Sequence, residues 1–204
     1  MFFISLGWLK SSAILVVTTA IFVHAACSLQ IASLGTRAAA ADKKRPPALE
    51  ISDDVTKLPE LVADMRAALL DAARRGSIGE MIEPIQMNEL KPDFGDVDAT
   101  KPIEAWKKLS IDGKGSEILA IIINLLESPY AITRQGADIE NNKMYTWPYF
   151  AELPIDKLPP HLETQLLRLI PREDYETMKK TGRYMFWRIT IGADGTWHSF
   201  SRQK

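Results

Sequence analysis

Residues 11–36 contain no Asp, Glu, Lys or Arg, and within them the run 13–23 (AILVVTTAIFV) is almost wholly aliphatic or Thr. That feature divides the chain before any fold is considered, because lipid accepts such a stretch and water rejects it. Nothing downstream explains a fully apolar helix at an extreme terminus as buried core, so the segment reads as an export leader or a membrane span. Lys10 supplies the positive flank, and Arg37 is followed by alanines that place Ala39 and Ala41 at the −3 and −1 positions of a cleavage after residue 41. A cut after Ala25 meets the same small-residue rule through Val23 and Ala25. The rival is an uncut inner-membrane anchor, since the stretch can cross a hydrocarbon core of roughly 30 Å as a helix. Arg37, Lys43, Lys44 and Arg45 come after the apolar run, and the positive-inside tendency would then hold the C-terminal side in the cytoplasm. The expectation is export with cleavage, because an Ala-rich stretch anchors poorly and is a good peptidase substrate. A lipidated Cys27 would put His24 where such leaders usually carry Leu, which argues against a lipoprotein.

The chain beyond the leader is mildly acidic. Lys10 and Arg37 are the basic residues of the first 41, which leaves 23 of the chain's 25 basic residues against all 26 acidic ones, a net of −3. The signs are interspersed and no basic stripe is present, so binding to nucleic acid through its phosphates is excluded. Cys27 is the only cysteine, and only His161 and His198 lie beyond it. The mature part therefore has no disulfide, no thiolate nucleophile and no Cys/His metal site, and its stability must come from an apolar core.

Residues 42–55 begin with DKKRPPA and read as an extended linker, and 56–204 as a single domain. Leu58, Leu61, Val62, Met65, Leu69 and Ala72 recur at helical spacing, with Thr56 as a cap, Pro59 in the first turn and Gly76 as the stop. A short helix is expected over 77–83, and Pro and Gly break 84–115 into loops with one helical turn near 103–109. The run 116–127 (SEILAIIINLLE) is apolar on every face and suits a buried central helix, although its isoleucines also allow a strand. Residues 130–134 and 143–150 read as strands, and 156–180 as two short helices broken at Pro171. Asp194-Gly195 then joins 183–191 to 196–202 as a hairpin. The order implies an α+β fold: helices packed on a small antiparallel sheet that ends in a C-terminal β-hairpin.

In that hairpin a loop of two or four residues puts Met185, Trp187, Ile189 and Ile191 on one face with His198 and Phe200, and Trp197 on the other; a three-residue loop reverses the assignment. Tyr145, Trp147 and Tyr149 alternate onto one side of their strand, so one sheet face carries more aromatic area than a minimal core needs. These rings, with Trp187 and His198, form the candidate ligand-binding set, either a pocket for a small apolar ligand or a docking face for an envelope protein. The plainer reading is that the rings are core and His198 a satisfied histidine at the sheet margin. If Pro148 ends a ladder, its strand is an edge.

No catalytic residue can be named. Glu80, Glu83, Glu89, Asp93, Asp96 and Asp98 crowd the loop-rich middle, where paired carboxylates could hydrolyse cell-wall polymers, but a solvated acidic loop is the better explanation of them. Asp93, Asp96 and Asp98 lack the register of a calcium loop. DGKGS (112–116) lacks the spacing of a phosphate loop, and no nucleophile, zinc-hydrolase, cofactor or dinucleotide motif occurs.

The segments 145–152 (YTWPYFAE) and 191–200 (IGADGTWHSF), with the AARRG that ends the first helix, resemble an uncharacterised family of exported alphaproteobacterial proteins. The resemblance implies an exported compartment and no activity. The expectation for function is thus a periplasmic or secreted, non-enzymatic protein binding a small apolar ligand or a protein partner through an aromatic sheet face. A carboxylate-dependent periplasmic hydrolase and an inner-membrane-anchored scaffold are the alternatives, with membrane contact through residues 11–36 if they stay uncut.

Overall fold

A computed structural model describes residues 49–134 and 142–203. The leader, its cleavage positions and most of the polar turn before Asn142 lie outside the described residues. No helix among the described residues is long and apolar enough to cross a membrane.

The fold is α+β. Five strands form one antiparallel sheet in the order of the chain: β1 (Glu50–Ser52), β2 (Tyr130–Arg134), β3 (Lys143–Trp147), β4 (Trp187–Gly192) and β5 (Trp197–Arg202). The helices are α1 (Glu60–Arg74), α2 (Ile82–Gln86), α3 (Pro102–Leu109) and α4 (Ser116–Leu126) before β2, with α5 (Pro160–Leu167) and α6 (Arg172–Thr181) between β3 and β4. The stretch read as a tether contributes β1, whose Glu50 pairs with Ile132 and whose Ser52 pairs with Tyr130. Thr56 does not cap α1. It sits in a 3-10 turn capped by Asp54, which accepts its amide at 3.0 Å, and Pro59 occupies the cap position of α1.

The run 116–127 is helical, as α4, and its Ile118, Ile122, Leu125 and Leu126 are buried at 2% exposure or less. Helix wins over strand because both ends are closed by specific hydrogen-bond partners, a donor at the C-terminus and an acceptor at the N-terminus. At the C-terminus Arg66 of α1 reaches across with Nε and Nη2 at 3.0 and 2.7 Å from the Leu126 carbonyl, an orphan acceptor of the last turn. At the N-terminus the DGKGS loop folds around Asp112, whose Oδ1 accepts the amides of Lys114 and Gly115 at 3.0 and 3.1 Å and the Ser110 hydroxyl at 2.6 Å. Amides that could cradle a phosphate are thus occupied by the loop's own carboxylate.

The Ser110 hydroxyl, then Ser116 and the Lys114 amide, hold the Asp112 carboxyl well below its ordinary value of 3.8. A depressed folded value contributes stability above 3.8 that is lost progressively as pH falls below it. Asp112→Asn should accordingly lower the urea midpoint at neutral pH, and the gap to wild type should narrow in acid. A gap that is constant or widens with acid contradicts the assignment.

The core joins one sheet face to α1 and α4. Phe94, Trp106, Trp197, Phe200 and Trp187 form a continuous aromatic seam, with Phe94–Trp106 centroids 4.9 Å apart edge-on and Trp187 stacked on Phe200 at 4.6 Å. Phe94 enters this seam because Asp93 pairs beside β5. The Asp93 amide donates to the His198 carbonyl at 2.8 Å and the Phe200 amide to the Asp93 carbonyl at 2.9 Å, which covers part of that sheet edge.

Candidate functional site

The aromatic residues singled out by sequence are packed. Tyr145 is 4%, Trp147 0%, Tyr149 3% and Trp187 6% exposed. Tyr145 and Trp147 lie against Tyr130 at centroid separations of 6.0 and 5.3 Å. Tyr149 does not continue their alternation: β3 ends at Trp147, and Tyr149 starts a 3-10 turn. From there its hydroxyl donates to Gln165 Oε1 at 3.0 Å, and burial pushes the phenol pKa up. Pro148 does come after the end of a ladder, but β3 is interior, paired on both sides with β2 and β4. It is not an edge.

The hairpin departs from the expected faces for a definable reason. Gly192 donates its amide to the Thr196 carbonyl at 2.9 Å, leaving a three-residue loop, so Ile191 faces Trp197. One residue further the register shifts, Thr190 facing Ser199 and Ile189 facing Phe200, with His198 as the extra residue of a β-bulge. The bulge brings both Trp197 and Phe200, each at 0% exposure, onto the core face. His198, expected there, is turned out and exposed. Trp187 and Trp197 therefore share one side of the hairpin rather than lying on opposite sides.

His198 emerges into a groove of about 470 Å³ between the hairpin turn and the loop after α2. Met87, Asn88, Glu89 and Leu90 form one wall, and Asp194, Thr196 and His198 the other. Asn88 fixes the two walls together: its Oδ1 accepts the Trp197 amide at 2.7 Å, and its Nδ2 donates to the Pro84 carbonyl at 3.0 Å. Met87 and Leu90 are 54% and 79% exposed, and Leu61 of α1, against Gly195, is 55% exposed. Large apolar side chains so far out of the core cost solvation unless something covers them.

The polar side of the groove is preset. The Thr196 amide, 3.0 Å from Oδ1, holds the Asp194 carboxyl below its ordinary value, with the Thr196 hydroxyl and the nearby His198 acting in the same direction. A Cβ on Gly192 would lie 2.6 Å from Asp194 Oδ1 and 2.7 Å from His198 Nε2, so only glycine lets both side chains close over this strand. Glu89 is the other carboxylate of the groove. Of the other acidic residues of the middle segment, Glu80 and Glu83 share Arg75 at 2.8 and 3.2 Å, and Asp93 and Asp98 accept the local amides of Gly95 and Thr100.

Two smaller recesses flank the core. One of about 260 Å³ has Trp187 and Phe186 in its floor with Asp174 and Arg202 at its mouth. The other, of about 350 Å³, lies between Phe150, Gln165 and Arg168. Neither these recesses nor the groove is lined by Tyr145, Trp147 or Tyr149. Among the described residues no group of three or more His, Cys, Asp or Glu side chains is placed to hold a metal ion. Sequence reading named Glu89 only as one of the acidic residues of the middle segment and missed Met87 and Leu90, because they fall in the segment broken by Pro and Gly; the local signal was an apolar pair bracketing Asn-Glu (MNEL) with no helical partner. No protein-family model, curated protein or solved structure matches the chain.

Proposed function

We propose that this chain is an exported, non-catalytic binding protein that holds a segment of a partner protein in the groove at the hairpin tip. The observation that carries the reading is the coincidence, in one groove, of exposed Met87 and Leu90 with the carboxylates Glu89 and Asp194. Apolar walls beside unneutralised carboxylates suit a segment that offers an aliphatic side chain next to Lys or Arg. A free apolar molecule fits less well, because a ligand pocket hides most of its guest, whereas Leu90 at 79% exposure leaves this one open. The packed rings support the same choice: Tyr145, Trp147 and Tyr149 are buried in the core and line none of the recesses described.

The hydrolase alternative needs a carboxyl with a raised pKa as the acid. Asp194 is shifted the other way, with its oxygens engaged by Thr196. Export rests on the leader and on the family resemblance, and intact-mass measurement of the protein recovered from the periplasm separates cleavage after residue 25 or 41 from an uncut anchor.

Calorimetric titration of the protein with a short lysine–leucine peptide and its glutamate–leucine counterpart tests the groove. Only the cationic peptide should bind, and Glu89→Lys or Leu90→Asp should weaken it by about tenfold or more. Both positions are exposed, so the fold should persist. Equal binding of the two peptides, or indifference to both substitutions, would remove the reading.

A further inference from the structure

Among the described residues that line the hairpin-tip groove, His198 is the only one able to gain a positive charge near neutral pH. The bulge that turns it outward also fixes where it stands. Its carbonyl accepts the Asp93 amide at 2.8 Å, the Trp197 amide is held by Asn88 Oδ1 at 2.7 Å, and the Phe200 amide by the Asp93 carbonyl at 2.9 Å. The imidazole thus leaves a backbone pinned on both sides by the loop after α2.

Its surroundings are acidic. His198 Nε2 and Asp194 Oδ1 stand 2.7 and 2.6 Å from the point where a Cβ on Gly192 would sit, so imidazole and carboxylate meet over one backbone position. The facing wall supplies Glu89, and no Lys or Arg is among the described residues lining the groove. On the adjoining elements, Asp93 gives a carboxylate oxygen to the Gly95 amide at 2.8 Å, and Lys143 of β3 meets the turn through its carbonyl, which accepts the Ala193 amide at 2.9 Å. Two carboxylates therefore face either a neutral imidazole or, after protonation, a resident cation.

We infer that His198 is a proton-operated release switch for this groove: neutral, it leaves Glu89 and Asp194 to a Lys or Arg of the bound segment, and protonated, it competes with that cation for them. The inference rests on the reading of the groove as a site for a cationic and aliphatic segment. A cation seated beside Asp194 opposes a second positive charge on the imidazole, and by reciprocity a proton on the imidazole opposes the cation. Affinity thus falls as the solution is acidified through the range in which imidazoles charge, while lysine and arginine stay charged throughout. A histidine that served only to form the bulge would show no such coupling, since the bulge is held by backbone hydrogen bonds.

The test is calorimetric titration of the full chain, at about pH 7.5 and about pH 5.5, with an acetylated and amidated lysine–leucine peptide whose charge is the same at both. Wild type should bind about fivefold more weakly at the lower pH. His198→Gln should bind with equal strength at the two values, and His198→Lys, a locked cation, should bind weakly at both. Substituting His161, which lies on α5 outside the groove, should leave the wild-type pH response intact. Wild-type binding that is equal at the two values, a pH response that survives in His198→Gln, or a His198→Lys variant as tight as wild type at the higher value would overturn the switch while leaving the groove's function standing. Absence of peptide binding at either value would remove both. Both histidines are exposed, and circular dichroism at each pH checks that the variants fold.

Discussion

Trp106→Ala is expected to lower the free energy of unfolding by about 3 to 5 kcal/mol, the range for emptying a fully buried aromatic site. Trp106 has 0% exposure and touches Phe94 and Phe200 edge-on at centroid separations of 4.9 and 5.6 Å, so its loss opens the seam that joins α3 to the hairpin. Such a loss is a large share of the stability of a domain of this size, and the variant can fail to fold. Trp106→Phe keeps the test decisive. The indole Nε1 of Trp106 has no acceptor among the described residues, so the smaller ring gives up packing but no hydrogen bond, and the cost should fall well below that of Ala. Urea unfolding that gives equal losses for Phe and Ala would contradict the aromatic seam.

Gly115→Ala should cost about 2 to 4 kcal/mol, combining the left-handed penalty with overpacking of the core. Gly115 has φ +95°, and a Cβ there would stand 2.7 Å from Cβ of Ile78, itself buried at 3% exposure. The matched control is Gly113→Ala, at φ +65° with nothing within 4 Å of the added carbon, where only the backbone penalty of about 1 kcal/mol remains. The difference should appear as a lower urea midpoint for the Gly115 variant with an unchanged slope. Equal midpoints would mean that the loop before α4 is not seated on Ile78.

These positions also show how far the sequence was readable. The α4 helix, the break at Pro171 and the Asp194-Gly195 turn arise from local chemistry, namely apolar run length, a missing amide and a glycine with positive φ. Strand β1 was hidden because three residues carry no period of their own. It exists only through pairing with β2, some 80 positions along the chain. Asp93 and Phe94 were hidden for the same reason, since their role depends on β5.

The bulge is a different case. Trp197 and Phe200 are three apart, so a regular strand cannot put both on the core face, and an extra residue between them was implied by the spacing itself. Reading the strand as regular misplaced His198 inside and Trp197 outside. The contact surface was then sought among aromatic rings, whereas what the fold leaves open is aliphatic: Met87, Leu90, Leu109 and Ile111. Rings draw attention by size, but in a sheet backed by helices on one face they are the natural filling of the core.

In the proposed function the packed rings are scaffold and the hairpin-tip groove makes the contact. Amide chemical-shift mapping of the full chain during titration with the lysine–leucine peptide tests this most directly. Shifts concentrated at residues 87–90 and 194–198, with β2 and β3 undisturbed, are the expected result. Shifts centred on Tyr145, Trp147 and Trp187, with the groove silent, would contradict it.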